Sequence, residues 1–571
     1  MAYKINDLTA LGRNLDPTDE LEVSLAGATG SRKITGAQII GAALPTWLES
    51  NATDLTIWNN GKGNIATNTS FGDGALKANT TGDSNTVFGY NSLDANTTGN
   101  NNTAFGFNVL GTSSTASNNT AFGYNCLNAN TNGTGNVAIG VSALDVNTGG
   151  SFNVGIATNA LGSNTQGSQN VAVGFNNLSS NVTGNFNTAI GSSALTSYTG
   201  SNMVAVGYYA LGSCTTGSDN TAVGYLSADA LTTGTNNTSL GSNSLGALTT
   251  GNSNTAIGRD SLLTITTSSN NTAIGFNSLR VQTSGASNTA VGSTAGASLT
   301  TGVENAFFGS EAGTTLTTGN YNTAIGTRSL ILNTTGNYNT AIGHQSLLFN
   351  TATNNTAVGQ GSLYANTTGS QNVAIGSLAL DANTTGTDNT AAGVNALGVC
   401  TTGSQNVAIG SLAAQALTTA SNATAIGCNS LRTATTSSGT TAVGHSSLYS
   451  ATTGVNNTAI GNNAGYNITT GSNNTSVGWG AGPNSGTGEE TTFVGYFTQG
   501  GTGSTVIGSL ASSATFTNSI VLGRSATATA NNQFVVGSST YNAGAVTTES
   551  LSSTRTWSVI INGTAYKILL A

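Results

Sequence analysis

From Asn68 to Gly495 one pattern of polar and apolar positions recurs along the chain. A polar Asn is followed by Thr or Val, a small residue, a bulky apolar residue and Gly, as in NTAIG, and Leu comes four residues after the Gly. With that Gly as slot 0, the slots run from Gly72 through Gly89 and Gly106 to Gly495. There are 26 slots, with 23 intervals of 17 residues and two of 16. Only Ala157, in SFNVGIATNAL, breaks the glycine. Slot −1 is apolar throughout: Phe71, Phe88, Phe105 and Phe122, then mostly Ile or Val. Slot +4 is Leu in 19 of 26 repeats and Gly or Ala in six more, and slot −4 is Asn in 22.

A stretch such as TAIG suits a β-strand and is too short for a helix, while NTTG and GNN are turn chemistry. A register held this long marks a solenoid. The pattern predicts an all-β chain, a parallel β-solenoid (β-roll) of about 26 coils, each with two short strands and two corners. Stacking places every slot over its own copy, so that Ile on Ile forms the core and Asn on Asn a hydrogen-bonded ladder. At about 4.7–4.9 Å per coil the stack would be about 120 Å long.

Two or three aliphatic side chains per coil are little to set against the ordering of seventeen residues. More surface therefore needs to be buried elsewhere. Slots −1 and +4 have opposite parity, so on a straight strand one lines the coil interior and the other meets neighbouring chains. A kink at the intervening Gly would put both inside, and that alternative stays open. The favoured expectation is intertwined or laterally packed chains, a homotrimer.

Both ends depart from the repeat. Residues 1–50 hold Pro17, Pro45 and most of the early acids, and ELEVSLAGATGSRKITG reads as a hairpin with Leu21, Val23 and Leu25 alternating before Ile34. This is read as an attachment module, with 51–67 as a transition and 68–500 as the repeat shaft. Residues 501–540 carry shorter repeats with slots at Gly508, Gly523 and Gly537, and 541–571 form a C-terminal cap. Within that cap Asn562-Gly563 is a strong hairpin signal. A solenoid exposes an open edge at each end, so caps are expected.

Composition narrows the function classes. Charged residues are 6% and the net charge is −8. Between Gly72 and Gly495 the only cations are Lys77, Arg259, Arg280, Arg328 and Arg432, so nucleic acid is not an expected partner. The N-terminus has no basic-then-apolar secretion signal, and no run of 18 apolar residues exists, so membrane insertion is not expected either. Cys126, Cys214, Cys400 and Cys428 have neither zinc nor disulfide spacing and read as small fillers in a protein made in a reducing compartment.

Paired carboxylates occur at Glu304 with Glu311 and at Glu489 with Glu490, and read as solvated corner residues. His344 and His445 sit at slot +1, where Ser, Tyr, Phe and Gln occur equally, which argues against catalysis or metal binding. No catalytic residue, metal ligand or cofactor is expected, and the chain is not read as an enzyme. Slot +1 is aromatic at Tyr90, Phe107, Tyr124, Phe175, Tyr208, Tyr225, Phe276 and Trp479. Stacked, these form a broken stripe, read first as packing between chains and second as a sugar- or partner-binding face.

SIVLGRSATATANNQFVVGSS resembles the head repeats of trimeric autotransporter adhesins, which are trimeric left-handed β-rolls. The 17-residue units resemble an elongated version found in phage tail or virion fibres, and the two chain ends, MAYKINDLTALGRNLDPTDELEVSLAG and INGTAYKILLA, resemble the ends of phage structural proteins. The resemblance implies a virion fibre made in the host cytoplasm and attached to other virion proteins through its N-terminal module. It implies a host cell-surface glycan or protein receptor, met at a tip that includes Trp557, Asn562 and Tyr566. A bacterial trimeric surface adhesin is the alternative, weakened by the lack of a signal, heptads and an anchor. An ice- or crystal-binding solenoid ranks last, because Thr clusters in the NTTG corners and not on a flat face.

Overall fold

In the computed structural model each NTAIG-like segment is a short strand and the remainder of each coil is turn. The structure describes residues 67–482 and 486–541. Outside these it gives the strands Ala2–Lys4, Glu20–Val23, Arg32–Thr35, Ile57–Trp58, Thr556–Ile561 and Thr564–Leu569. The chain divides into two units, Met1–Tyr225 and Leu226–Ala571.

In the first unit Glu20–Val23 pairs antiparallel with Arg32–Thr35, Leu21 lying opposite Ile34, so the expected hairpin is present. Ala2–Lys4 adds in parallel to Glu20–Glu22. Ile57–Trp58 runs antiparallel to Thr69–Phe71 and covers the edge of the first coil. Ten coil strands follow, Thr69–Phe71 to Thr221–Val223, each parallel to the next. The partner of each residue is its own copy one repeat later, as in Thr69 opposite Thr86.

In the second unit nineteen coil strands stack in the same way, Thr238–Leu240 to Phe534–Val536. The last three steps shorten, pairing Thr492 with Thr505, Thr505 with Ile520 and Ile520 with Phe534. Here Val506 and Val521 take the strand position that Ala holds in the long coils, so a larger side chain fills a coil that lacks the Leu. Thr556–Ile561 and Thr564–Leu569 form an antiparallel hairpin with Ile561 opposite Thr564. Asn562 and Gly563, the turn signal between them, lie outside the described residues.

The β-solenoid is as expected, but its core is not made of stacked Ile. Slot −2 points inward: Ala104, Ala121, Ala138 and their copies are fully buried. Slot −1 points out, with Phe122 50% and Ile375 48% exposed. The strand pleat alternates faces, so −3 and −1 share the outer side and −2 the inner. A Cβ at Gly155, in slot −2, would lie 3.3 Å from the Leu144 side chain, so the small residue of the strand packs against a Leu from the opposite side of the coil. Slot +4 is thus the main apolar filler, as its buried Leu93, Leu178 and Leu279 show. Slots −1 and +4 thus face opposite sides, with the interior belonging to +4, although +4 lies beyond the strand to which the parity argument applies.

The second side of the coil is not a strand, contrary to expectation. Residues at +2 and +4 adopt left-handed backbone, as at Asn176 (φ 55°) and Leu178 (φ 48°). For Leu that conformation costs about 1–2 kcal/mol. It brings the Leu inward, and its N–H donates to the next coil, as from Leu178 to the Ala194 carbonyl at 3.2 Å. Slot 0 needs glycine for two reasons: Gly275 has φ +133°, and a Cβ there would lie 2.4 Å from the Gly292 carbonyl oxygen.

The asparagine ladder at slot −4 is present and fully spent. Asn288 Oδ1 accepts the Asn305 backbone N–H at 2.9 Å and the Asn305 amide at 3.1 Å, while the Asn288 amide donates to the Gly302 carbonyl at 2.8 Å. A second ladder, not foreseen, runs through slot +7: Asn130, Asn147, Asn164 and Asn181, each amide donating to the one before. In the second unit Leu231, Leu248, Ile265, Leu299 and Leu316 occupy that slot and make the interior more apolar.

Volume is conserved within the coil. Phe307 fills slot −2 where Ala is usual, and the slots facing it hold Gly296 and Gly313 in place of Leu. Phe493 is matched in the same way by Gly482.

Candidate functional site

The face outlined by slots −3, −1 and +1 is the candidate. Slot −1 supplies a continuous apolar rank in each unit. In the first, Phe71, Phe88, Phe105 and Phe122 stack face to face at 4.6, 4.8 and 4.7 Å between ring centroids. Beside them at slot +1, Tyr90, Phe107 and Tyr124 stack at 5.3 and 5.2 Å. Two aromatic ladders therefore run in parallel over the first coils. Offset ring stacking adds about 0.5–1.5 kcal/mol per pair beyond burial. Tyr208 and Tyr225 stack at 5.5 Å.

The remaining stripe residues are more isolated. Phe175 is exposed without a stacked ring, and Phe276 lies 4.9 Å under the Arg259 guanidinium. Trp479 stacks on Tyr496, in slot +1 of the next coil, at 5.0 Å. Of the expected tip, Trp557 and Tyr566 lie in the two strands of the terminal hairpin, and Asn562 falls outside the described residues.

Slot −3 carries a rank of its own. Thr238, Thr255, Thr272 and Thr289 stand in register on the strand face beside the slot −1 residues. The NTTG threonines at slot +8 have a different task, their hydroxyls donating to the carbonyl of the Thr one coil on, as from Thr300 to Thr317 at 3.0 Å. Threonine therefore clusters in the corners, as expected, and also forms a rank on the strand face.

The other candidate groups are dispersed. His344 and His445 are exposed on the surface of their coils. Glu311 pairs with Arg328 at 2.8 Å, one coil away in the same slot, while Glu304, Glu489 and Glu490 are exposed. Among the described residues no three His, Cys, Asp or Glu side chains come together as a metal site. Cys126, Cys214 and Cys400 are buried and Cys428 is exposed, and all four are free thiols. Burial pushes the Cys214 and Cys400 thiols up to about 11.

Sequence reasoning missed the outward set of slot −1 and the ring partners of Trp479, namely Tyr496 and Phe497. The signal for the first was the small residue usual at −2, most often Ala, which marks the side with least room. Compared with known proteins, the chain matches no family model and no curated sequence.

Proposed function

We propose that the chain is a structural fibre of a phage virion that associates with copies of itself, three in number, and serves attachment to a host surface without catalysis. The observation that carries self-association is the outward apolar rank at slot −1. Phe105, Phe122, Ile190, Phe308, Ile375, Ile409 and Ile460 are each more than a third exposed on the regular face of their strands. An apolar strip this regular marks an interaction surface. A periodic partner is needed to cover a periodic strip, and a second and third copy of the same chain meet that condition coil for coil. The trimer number, the virion setting, the N-terminal attachment and the receptor tip rest on the resemblance of the repeats and chain ends. Native mass tests association, and host adsorption tests function. Deleting residues 504–571 abolishes adsorption and preserves virion attachment if recognition lies at the tip, whereas unchanged adsorption moves it to the repeats.

The threonine rank at slot −3, alternating with Val or Ile at −1, favours a second reading, a face that orders water against a crystal. Parallel coils repeat its hydroxyls about every 4.7–4.9 Å. Thermal hysteresis in a freezing-point measurement would support this reading, and its absence would remove it.

A further inference from the structure

We infer that the notch beside Trp479 is a binding site for one ring of a neutral pyranose sugar. The repeat changes here over four consecutive coils, those of Gly444, Gly461, Gly478 and Gly495. Slot +2 holds Asn463, Gly480 and Phe497, slot +1 holds Trp479 and Tyr496, and slot +5 holds Tyr449 and Tyr466. Glycine at 480 removes a side chain that other coils supply as Asn, as at Asn277, Asn395 and Asn429. The gap is a notch of about 190 Å³ lined by Asn463, Tyr466, Trp479, Gly480 and Phe497.

Its walls are held in place. Trp479 lies face to face with Tyr496 and meets the Phe497 ring edge-on at 4.2 Å, while Phe497 is also edge-on to Tyr496 at 4.9 Å. Tyr466 stacks on Tyr449 at 5.0 Å. The backbone is pinned by the Gly480 N–H on the Asn462 carbonyl and the Phe497 N–H on the Trp479 carbonyl, both 2.9 Å. The aromatics are thus rigid and still 41% exposed at Trp479 and 38% at Phe497.

The chemistry of the lining selects the ligand. None of the five residues is charged, so a charged ligand would be desolvated without compensation. The lining supplies three aromatic side chains for apolar contact, and an amide at Asn463 and a phenol at Tyr466 for hydrogen bonding. A pyranose presents that combination, a C–H face with hydroxyls at its rim, and one ring suits the volume. Pockets that recognise small molecules combine an apolar lining with a few placed polar groups in this way. The lining comes from slots +1, +2 and +5, and Trp479 at +1 is its one residue on the face that carries the −3 and −1 ranks. The inference deepens the adhesive reading and rests on it only for where the sugar comes from.

The test is saturation-transfer difference NMR on the full chain with methyl α-mannopyranoside, methyl β-galactopyranoside and methyl β-glucopyranoside, each in millimolar excess. At least one receives saturation on its ring protons with a Kd of about 1 mM, the scale of a single-ring contact. Trp479→Ala and Gly480→Asn each weaken that binding by about tenfold or more. Gly480→Asn restores the residue usual at this slot and keeps the backbone, since Asn tolerates φ +59°. No transfer to any of the three, or undiminished binding by Gly480→Asn, overturns the inference. Native mass separates the two ideas: a trimer that binds no sugar refutes the notch alone, and a monomer that binds sugar refutes the fibre alone.

Discussion

Replacing Phe307 tests whether the coil interior conserves volume. Its ring is fully buried, and a Cβ built at Gly313 or Gly296 would lie 2.6 or 2.8 Å from it. Phe307→Ala alone leaves a ring-sized void and costs about 3–5 kcal/mol. Gly296→Leu or Gly313→Leu alone drives a side chain into the ring and costs about 1–3 kcal/mol each. Taken as independent, the three changes lose about 5–11 kcal/mol. The triple variant, however, writes the usual Ala and Leu into slots −2 and +4. Its two leucines pay about 1–2 kcal/mol each for left-handed backbone, partly offset because replacing Gly lowers unfolded-state entropy by about 0.4–1 kcal/mol each. The triple should therefore lie within about 3 kcal/mol of the parent, a coupling of at least about 2 kcal/mol. Stacked repeats do not unfold all-or-none, so the readout is local amide exchange by mass spectrometry over residues 289–325. A coupling of about 2 kcal/mol appears as about thirtyfold slower exchange than additivity gives. A triple variant that exchanges faster than each of the single variants would refute the reasoning.

Three further outcomes follow from the same structure. Asn288→Ala removes the acceptor of the buried Asn305 N–H and should cost about 1–3 kcal/mol locally, seen as faster exchange confined to the coils on either side. In the native protein one thiol, Cys428, reacts with Ellman's reagent at pH 8, and four react in denaturant, because burial raises and shields Cys126, Cys214 and Cys400. Burial also raises the Asp94, Asp145, Asp229 and Asp381 carboxyls, all at slot +5. Their folded values lie above 3.8, so the folded state binds more protons. Their contribution to stability is full below pH 3.8 and is lost as pH rises through the folded values. Melting temperature should therefore hold or rise from pH 7 to pH 4, and a steep fall over that range would contradict the assignment.

How much was legible in the sequence depended on which physical rule each slot obeyed. The period, the parallel stacking, the Asn288-type ladder and the terminal hairpins follow from repetition and turn chemistry, which are local and could be read directly. The side that each slot faces depended on backbone at residues such as Leu178, whose left-handed φ no propensity anticipates. That geometry turns Leu inward and leaves Ile375 out. The matching of Phe307 with Gly296 and Gly313 was written in the chain, but it became visible only once slots −2 and +4 were known to touch. The notch at Gly480 was harder still. Its residues come from three coils, and its meaning lies in a side chain that is missing where the repeat would place one.

The outward rank at slot −1 is central to the account, and the mass of the native protein tests it most directly. Sedimentation equilibrium should give three times the chain mass of 56.5 kDa, and charged substitutions at Phe105, Phe122, Ile375 and Ile409 together should shift the protein toward single chains. A monodisperse monomer of the unaltered chain would contradict the account.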